Sequence, residues 1–413
     1  MAAFFDNLEN REPAVREAEQ MAELSKLVAH AQQNAPAYTR LLAGIEAAGV
    51  NSREALACLP LTRKDELIDL QRQQRPFGGL CAIKAPELNR VVSSPGPIYE
   101  PGSQRADFWR FARALYAAGF RNGDLLHNCF AYHFTPAGAM VESGGHALGC
   151  TVFAAGPGQL EGQVQAIADL QPDGYVGTPS FLKLILDKAD ELGVQVASLN
   201  KALVSGEYLP PSLRETFAAR GIKVLQCYAT ADLGLIAYES PALEGMIVDE
   251  GIVLEIVRPG TGDPVPEGEV GELVITTLSD EYPLVRFATG DLSAILSGAS
   301  PCGRTNRRIK GWMGRADQTA KVRGMFVHPS QVAKILSQHP EIHKGRLVVE
   351  RINDADSMVL HCEVLAAVPD DFADSIAATI RKICNLRGEV TIVPVDSLAN
   401  DGKVIDDLRP VDV

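Results

Sequence analysis

Between Arg90 and about Ala202, short apolar runs alternate with stretches of helical spacing, and this alternation restricts the fold more than any other feature. The runs LLHNCF, CTVFAA, GYVGTP and KALVSG are separated by helices expected over 103–119, 136–148, 159–170 and the segment SFLKLILDKADELG. Brief apolar strands divided by crossover helices are the pattern of a parallel sheet, because each strand is buried on both faces and each helix must return the chain to the same edge. VLQC at 224–227 reads as one more strand of this α/β core.

The flanking segments differ in style. Residues 12–50 carry Val15, Ala18, Met21, Leu24, Leu27 and Val28 on one helical face, and Thr62 stands three residues before Asp65 as the cap of a further helix. From Met246 to Leu296 the runs IVLEIV, GELVITTL and LSAIL, with PGTGDPVPEGEVG between them, predict antiparallel hairpins. Beyond GWMGRADQTAKVRG comes a helix at 329–338, strands RLVVERI and MVLHCEVL, a helix at 370–386 and strand EVTIVPV, a small α+β domain. A chain of 413 residues exceeds one core's usual limit of about 250–300. The expected domains are therefore 1–314 and 315–413.

With 39 basic against 52 acidic residues the net charge is -13, which disfavours nucleic acid and anionic membranes as partners. No run approaches 18 apolar residues, and MAAFFDNLENREPAVREAEQ turns acidic at once, so the expected location is the cytoplasm. The eight cysteines show no CxxC spacing and the eight histidines no HxxxH pair on a helix; reduced thiols and no histidine metal cluster are expected.

Three short stretches carry chemistry. VVSSPGPIYEP at 91–101 has the serines and glycine of a phosphate-cradling loop in Ser93, Ser94 and Gly96, but Pro95 and Pro97 offer no N–H, so an ordinary Ser/Pro turn competes with that reading. In QCYATADLGLIAYE at 226–239, Tyr228 can stack on a purine and Asp232 can hold Mg2+; a helix cap explains Thr230 and Asp232 equally well. In YPLVRFATGDLSAIL, Thr289, Gly290 and Asp291 form a turn whose acid suits ribose hydroxyls, although TGD is also a hairpin sequence.

Taken in order with PLTRKDEL, GTPSFL, SGEYLPPSLRE, EGEVGELVITTL, GRADQTAKVRG and the terminal NDGKVID, these stretches resemble the phenylacetate-CoA ligase branch of the adenylate-forming, AMP-binding enzymes. The resemblance implies a large domain of stacked α/β sheets with a β subdomain and a small mobile α+β C-terminal domain. It implies a ligase that uses ATP to convert a small aromatic acid to an acyl adenylate and passes the acyl group to coenzyme A. Tyr228, with Ala229 and Thr230, takes the adenine-side position, Asp232 the Mg2+ position, and Asp291 with Arg315 the ribose and phosphate positions. Ser93, Ser94, Gly206 and Glu207 fall in the nucleotide site. Tyr132, His133 and Phe134, with Gly206, fall where such enzymes keep the acid pocket, although YHF can equally end a core strand. Lys403 and Arg315 match catalytic residues, Asp317 the hinge and Gly324 the segment facing coenzyme A. A homodimer is the state the branch implies.

Two departures stand out. Relatives of this branch carry a Cys/His zinc site, of which SPCGR at 300–304 keeps one thiol, so no structural zinc is expected. The phosphate loop lacks the threonines and lysine of an SSGTTGKP-like run and gains Glu100. Three chemistries stay open: the ligase ranks first, an acyltransferase or thioesterase acting on a ready-made thioester or adenylate second, and a non-catalytic nucleotide binder third.

Overall fold

The computed structural model describes residues 4–94, 97–258, 262–316, 320–327, 329–352, 355–365, 368–369, 371–395, 397–398 and 404–409. Two compact units divide the chain, Met1–Trp312 and Met313–Val413. The first is built on a nine-stranded sheet, whose parallel half runs Lys223–Thr230, Lys201–Val204, Gly174–Gly177, Leu125–Asn128 and Thr151–Ala154 in spatial order. All four residues of Gly174–Gly177 are buried, as expected of a strand covered on both faces. Helix Pro179–Leu192 returns the chain between neighbouring strands; Thr178 caps it by accepting from the Phe181 N–H, and Gly193 ends it at φ 65°.

The other half is antiparallel, from Gly234–Glu239 through Met246–Val248 and Arg308–Ile309 to Ile295–Leu296. A second sheet orders Thr62–Arg63, Phe287–Ser293, Gly271–Thr277 and Ile252–Val257. The expected α/β class and the antiparallel region after Met246 are both present.

Three local expectations change. The helix expected at 103–119 is reduced to Phe111–Ala117, because Ser103 closes the strand Ile98–Ser103 and Asp107 and Arg110 take left-handed φ values of 49° and 66°. Thr62 caps no helix: it is buried in the strand Thr62–Arg63, and Lys64–Glu66 then turns into the helix Leu67–Gln73 without a side-chain cap. In the helix Pro13–Asn34, Met21, Leu24, Leu27 and Val28 face the core, whereas Val15 and Ala18 are exposed. The first turns bury Arg16 and Gln20 instead, because Glu250 accepts from Arg16 at 3.0 Å and the Glu250 and Ile252 carbonyls accept from Gln20.

The stretch expected to be a loop is a hairpin. Leu88–Ser94 pairs antiparallel with Ile98–Ser103, placing Val92 opposite Glu100. Gln71, at the end of the helix Leu67–Gln73, pins the second strand: its amide donates to the Tyr99 carbonyl at 2.7 Å and accepts from the Tyr99 N–H at 2.8 Å.

In the second unit, strands Glu389–Val393, Ala355–Val364, Ile342–Ile352 and Ile405–Asp407 form a mixed sheet with helices Pro329–Ser337 and Phe372–Cys384. Its own core includes Val332, Ile335, Leu347, Met358, Leu360, Ile376 and Ile380.

Candidate functional site

The carboxyl ends of adjacent parallel strands are where open α/β sheets bind ligands. Tyr132 follows the strand ending at Asn128, Gly206 and Glu207 follow Val204, and Tyr228, Ala229 and Thr230 end the next strand. The sheet therefore gathers residues separated by about a hundred positions along one edge. After Thr230 the chain turns back into Gly234–Glu239, with the Thr230 hydroxyl accepting from the Leu233 N–H at 3.2 Å. This is a strand-to-strand turn, not the helix cap that competed in the sequence. Gly234 is required there: φ is 72°, and a Cβ would meet the Trp109 backbone at 2.8 Å.

The second sheet brings in Asp291. Gly290, at φ 74°, lets the chain bend, and the Asp291 N–H donates to the Thr289 hydroxyl at 3.1 Å. The Tyr228 hydroxyl donates to Asp291 Oδ2 at 2.6 Å and the Trp312 indole N–H to Oδ1 at 3.0 Å. Two stretches 63 residues apart thus meet through a direct hydrogen bond. Trp312 had no signal of its own in the sequence.

Beside them lies a buried charge cluster. Lys64 Nζ bonds Asp232 Oδ2 at 2.5 Å, with the Asp232 side chain 0 % exposed. Glu100 is 1 % exposed, and its Oε1 accepts from the Ser94 hydroxyl at 2.7 Å. Burial raises the Glu100 carboxyl to about 9, and the neighbouring Asp232 charge adds to the rise, against the Ser94 hydrogen bond and Lys64. Burial disfavours the Lys64 ammonium, but Asp232, Glu100 and Asp291 together hold its pKa above the ordinary value. Asp232 Oδ1 is buried without a hydrogen-bond partner among the described residues. An orphaned carboxylate oxygen is the donor that a hard, oxygen-seeking Mg2+ takes, so the residues present fit that ion. Lys64 was quoted in the sequence only as part of PLTRKDEL; its partner, 168 residues away, is what reveals it.

The remaining candidates are placed as follows. Ser94 is buried toward Glu100, whereas the Ser93 N–H donates to the Phe134 carbonyl at 2.7 Å, which lays the hairpin against the YHF segment. Tyr132 is half-buried and accepts from Asn128 at 2.8 Å; burial, with Glu142 nearby, raises its hydroxyl pKa. His133 is exposed and Phe134 is 79 % exposed, so only Tyr132 of the three packs inward within this unit. Gly206, at φ 81°, and Glu207 are exposed, and Glu207 accepts from the Ser180 N–H at 3.3 Å. In the second unit the Arg315 guanidinium lies 5.7 Å from the Phe326 ring. Arg323 and Gly324, at φ 48° and 82°, form the two-residue turn between Ala320–Val322 and Met325–Val327, the left-handed pair such hairpins require. Asp317 and Lys403 lie outside the described residues.

In the SPCGR segment, Cys302 is held by protein groups. Ser300 Oγ is 3.0 Å from its sulfur and an Arg304 N–H donates to it at 3.6 Å. Burial pushes the thiol up, but hydrogen bonds from Ser240, Ser300 and Arg304 outweigh it and bring the value down to about 7. Iodoacetamide should label Cys302 with a midpoint near pH 7, and Ser300→Ala should raise that midpoint. A wild-type midpoint above pH 8.5, the usual thiol value of about 8.5, would remove the thiolate from this account. Among the described residues no group of three or more His, Cys, Asp or Glu is arranged to hold a metal.

Comparison with known proteins shows the family of the chain. The model of the AMP-binding enzyme family matches residues 106–279. A phenylacetate-coenzyme A ligase of Thermus thermophilus is 34 % identical over 359 residues, covering 83 % of this chain and 80 % of the relative. The chain belongs to the phenylacetate-CoA ligase family of AMP-binding enzymes. A second phenylacetate-CoA ligase, from Pseudomonas putida, is 32 % identical over 390 residues, 88 % of this chain and 85 % of its own. Among solved structures, a 2-hydroxyisobutyryl-CoA ligase in complex with 2-HIB-AMP and CoA superposes with a TM-score of 0.83 at 24 % identity, covering 99 % of this chain and 93 % of that one. That likeness establishes the adenylate-forming fold. No helix among the described residues is long and apolar enough to cross a membrane.

Proposed function

We propose that this phenylacetate-CoA ligase family member is an AMP-forming acid–CoA ligase acting on a small aromatic acid, in the cytoplasm and as a homodimer. The observation that carries the reading is the meeting of Tyr228 with Asp291 beside Asp232, which assembles acceptors for a nucleoside and a metal at one sheet edge. In the first half-reaction the acid's carboxylate oxygen attacks the α-phosphorus of ATP and pyrophosphate leaves. In the second, the thiol sulfur of coenzyme A attacks the acyl carbon, AMP leaves, and the thiol proton is lost to solvent.

Asp291 accepts from ribose hydroxyls, Tyr228 covers the adenine, and Asp232 would hold Mg2+, which neutralises phosphate charge when bound. Lys403 and Arg315, on the second unit, supply positive charge at the phosphate; such a group in a dry site contributes on the order of 10²–10³ in rate. Asp317 is the hinge residue, and Gly324 meets coenzyme A. Tyr132, half-buried and next to the Phe134 turn, contributes one wall of an apolar acid pocket.

One observation favours the runner-up, an acyltransferase or thioesterase. The Ser94 hydroxyl is committed to Glu100 and so is turned away from a triphosphate. The two readings part in a single assay of the full chain with ATP, Mg2+, coenzyme A and a panel of aromatic and aliphatic acids. Pyrophosphate and acyl-CoA in equal amounts with an aromatic acid is the expected result. No pyrophosphate with any acid, in a protein that still binds AMP, overturns the ligase in favour of the runner-up.

A further inference from the structure

Trp312 takes no part in the reaction as written, yet the segment leading to it is tied down at successive residues. The first unit ends at Trp312, and the end of a compact unit is where order is usually lost unless something holds the backbone. Here the ties run to the strand that presents Asp291. The Lys310 N–H donates to the Ala294 carbonyl at 3.0 Å, and the buried Ser293 hydroxyl donates to the Gly311 carbonyl at 2.6 Å. One residue further, the indole N–H reaches Asp291 Oδ1 at 3.0 Å. Residues 310–312 are thereby aligned with 291–294, and the last tie lands on the carboxylate itself. Tyr228, from the nine-stranded sheet, donates to the other oxygen, Oδ2, at 2.6 Å.

We infer that Trp312 is a positioning residue for the ribose: its indole N–H fixes the orientation in which the Asp291 carboxylate accepts from ribose hydroxyls. The inference rests on the proposed place of the ribose at Asp291 and deepens it. An aspartate carboxylate chooses among staggered χ1 wells and turns broadly about χ2. Donors from two different elements, one on each oxygen, hold it in a single orientation before the nucleotide arrives. Each carboxylate oxygen carries two lone pairs, so one oxygen can accept from the indole and from a ribose hydroxyl together. The bond orients without blocking. Indole suits the task because its N–H donates and accepts nothing, so it never competes with Asp291 for the proton that a ribose hydroxyl offers. A phenylalanine here would keep the ring and lose the function.

The test is calorimetric titration of the full chain with AMP and with 2′,3′-dideoxy-AMP, which keeps base and phosphate but has neither ribose hydroxyl. Wild type should prefer AMP by about 10²-fold or more. Trp312→Phe should weaken AMP about tenfold and change the affinity for dideoxy-AMP by less than about twofold, because only the hydroxyl contacts depend on how Asp291 is held. A thermal melt should show W312F folded. Ser293→Ala, which removes the tie on Gly311 and leaves the indole in place, should lower the same preference by a smaller factor. Where W312F does not fold, S293A decides alone. An unchanged preference in the variant, or an equal loss for both nucleotides, overturns the positioning role. Wild type that binds both nucleotides equally overturns it together with the ribose's place at Asp291. A failure of the ligase reading looks different: the preference is present and falls in W312F, yet no acid yields pyrophosphate.

Discussion

Asp291→Ala should raise the dissociation constant for AMP by about 10²–10⁴-fold while leaving the melting temperature within a few degrees of wild type. Hydrogen bonds to a charged group contribute about 1.5–3 kcal/mol each, and a carboxylate that accepts from two ribose hydroxyls makes two of them; tenfold corresponds to about 1.4 kcal/mol. The same carboxylate holds the Tyr228 hydroxyl and the Trp312 indole, so its removal also frees the Tyr228 ring. Stability is largely spared, since Tyr228 and Trp312 are only half-buried and water can replace Asp291 as their partner. Calorimetric titration with AMP measures the effect. A loss below threefold would mean that the nucleoside binds elsewhere.

The largest structural effect is expected at Arg286. Its guanidinium is 3 % exposed, pairs with Glu255 through two bonds of 3.1 Å, and donates to the carbonyls of Ala57, Leu59 and Gly262. It joins the N-terminal segment to the second sheet, next to the strand Phe287–Ser293 that presents Asp291. Burial pushes the Glu255 carboxyl above its ordinary value even with Arg286 beside it. Removing the arginine alone leaves a buried acid and three carbonyls unpaired. Arg286→Met should therefore cost about 3–5 kcal/mol, roughly 5–8 °C in melting temperature for a unit of this size. The double variant Arg286→Met, Glu255→Leu should recover part of the loss, because no buried charge remains. Thermal melts of the three proteins decide it; a single-variant cost under about 1 kcal/mol would show the pair to be dispensable.

Periodicity made the parallel core legible because burial on both faces writes itself as uninterrupted apolar runs, as in GYVG and KALV. It missed the hairpin at 88–103, where Pro97, Pro101 and Gly102 disguise a strand whose backbone is paired nonetheless. It overextended the next helix because nothing in the residue types at Asp107 and Arg110 announces a left-handed backbone. Of the candidate site, Tyr228, Asp232 and Asp291 were readable from their turns, but their meeting was not. Pairings across 63 and 168 residues are decided by sheet order, which a single sequence does not print. Glu100 shows the limit most clearly. As a letter it is one more acid in a loop; its meaning comes from being buried against Asp232.

The Gln71 clamp has a mechanical consequence. The turn that carries Lys64 leads directly into the helix Leu67–Gln73, and Gln71 on that helix grips the residue before Glu100. The ammonium and the acid are therefore two jaws on one rigid arm. Movement of the hairpin would carry both groups together, so Lys64 and Glu100 can shift as a unit relative to Asp232, the carboxylate that Lys64 bonds.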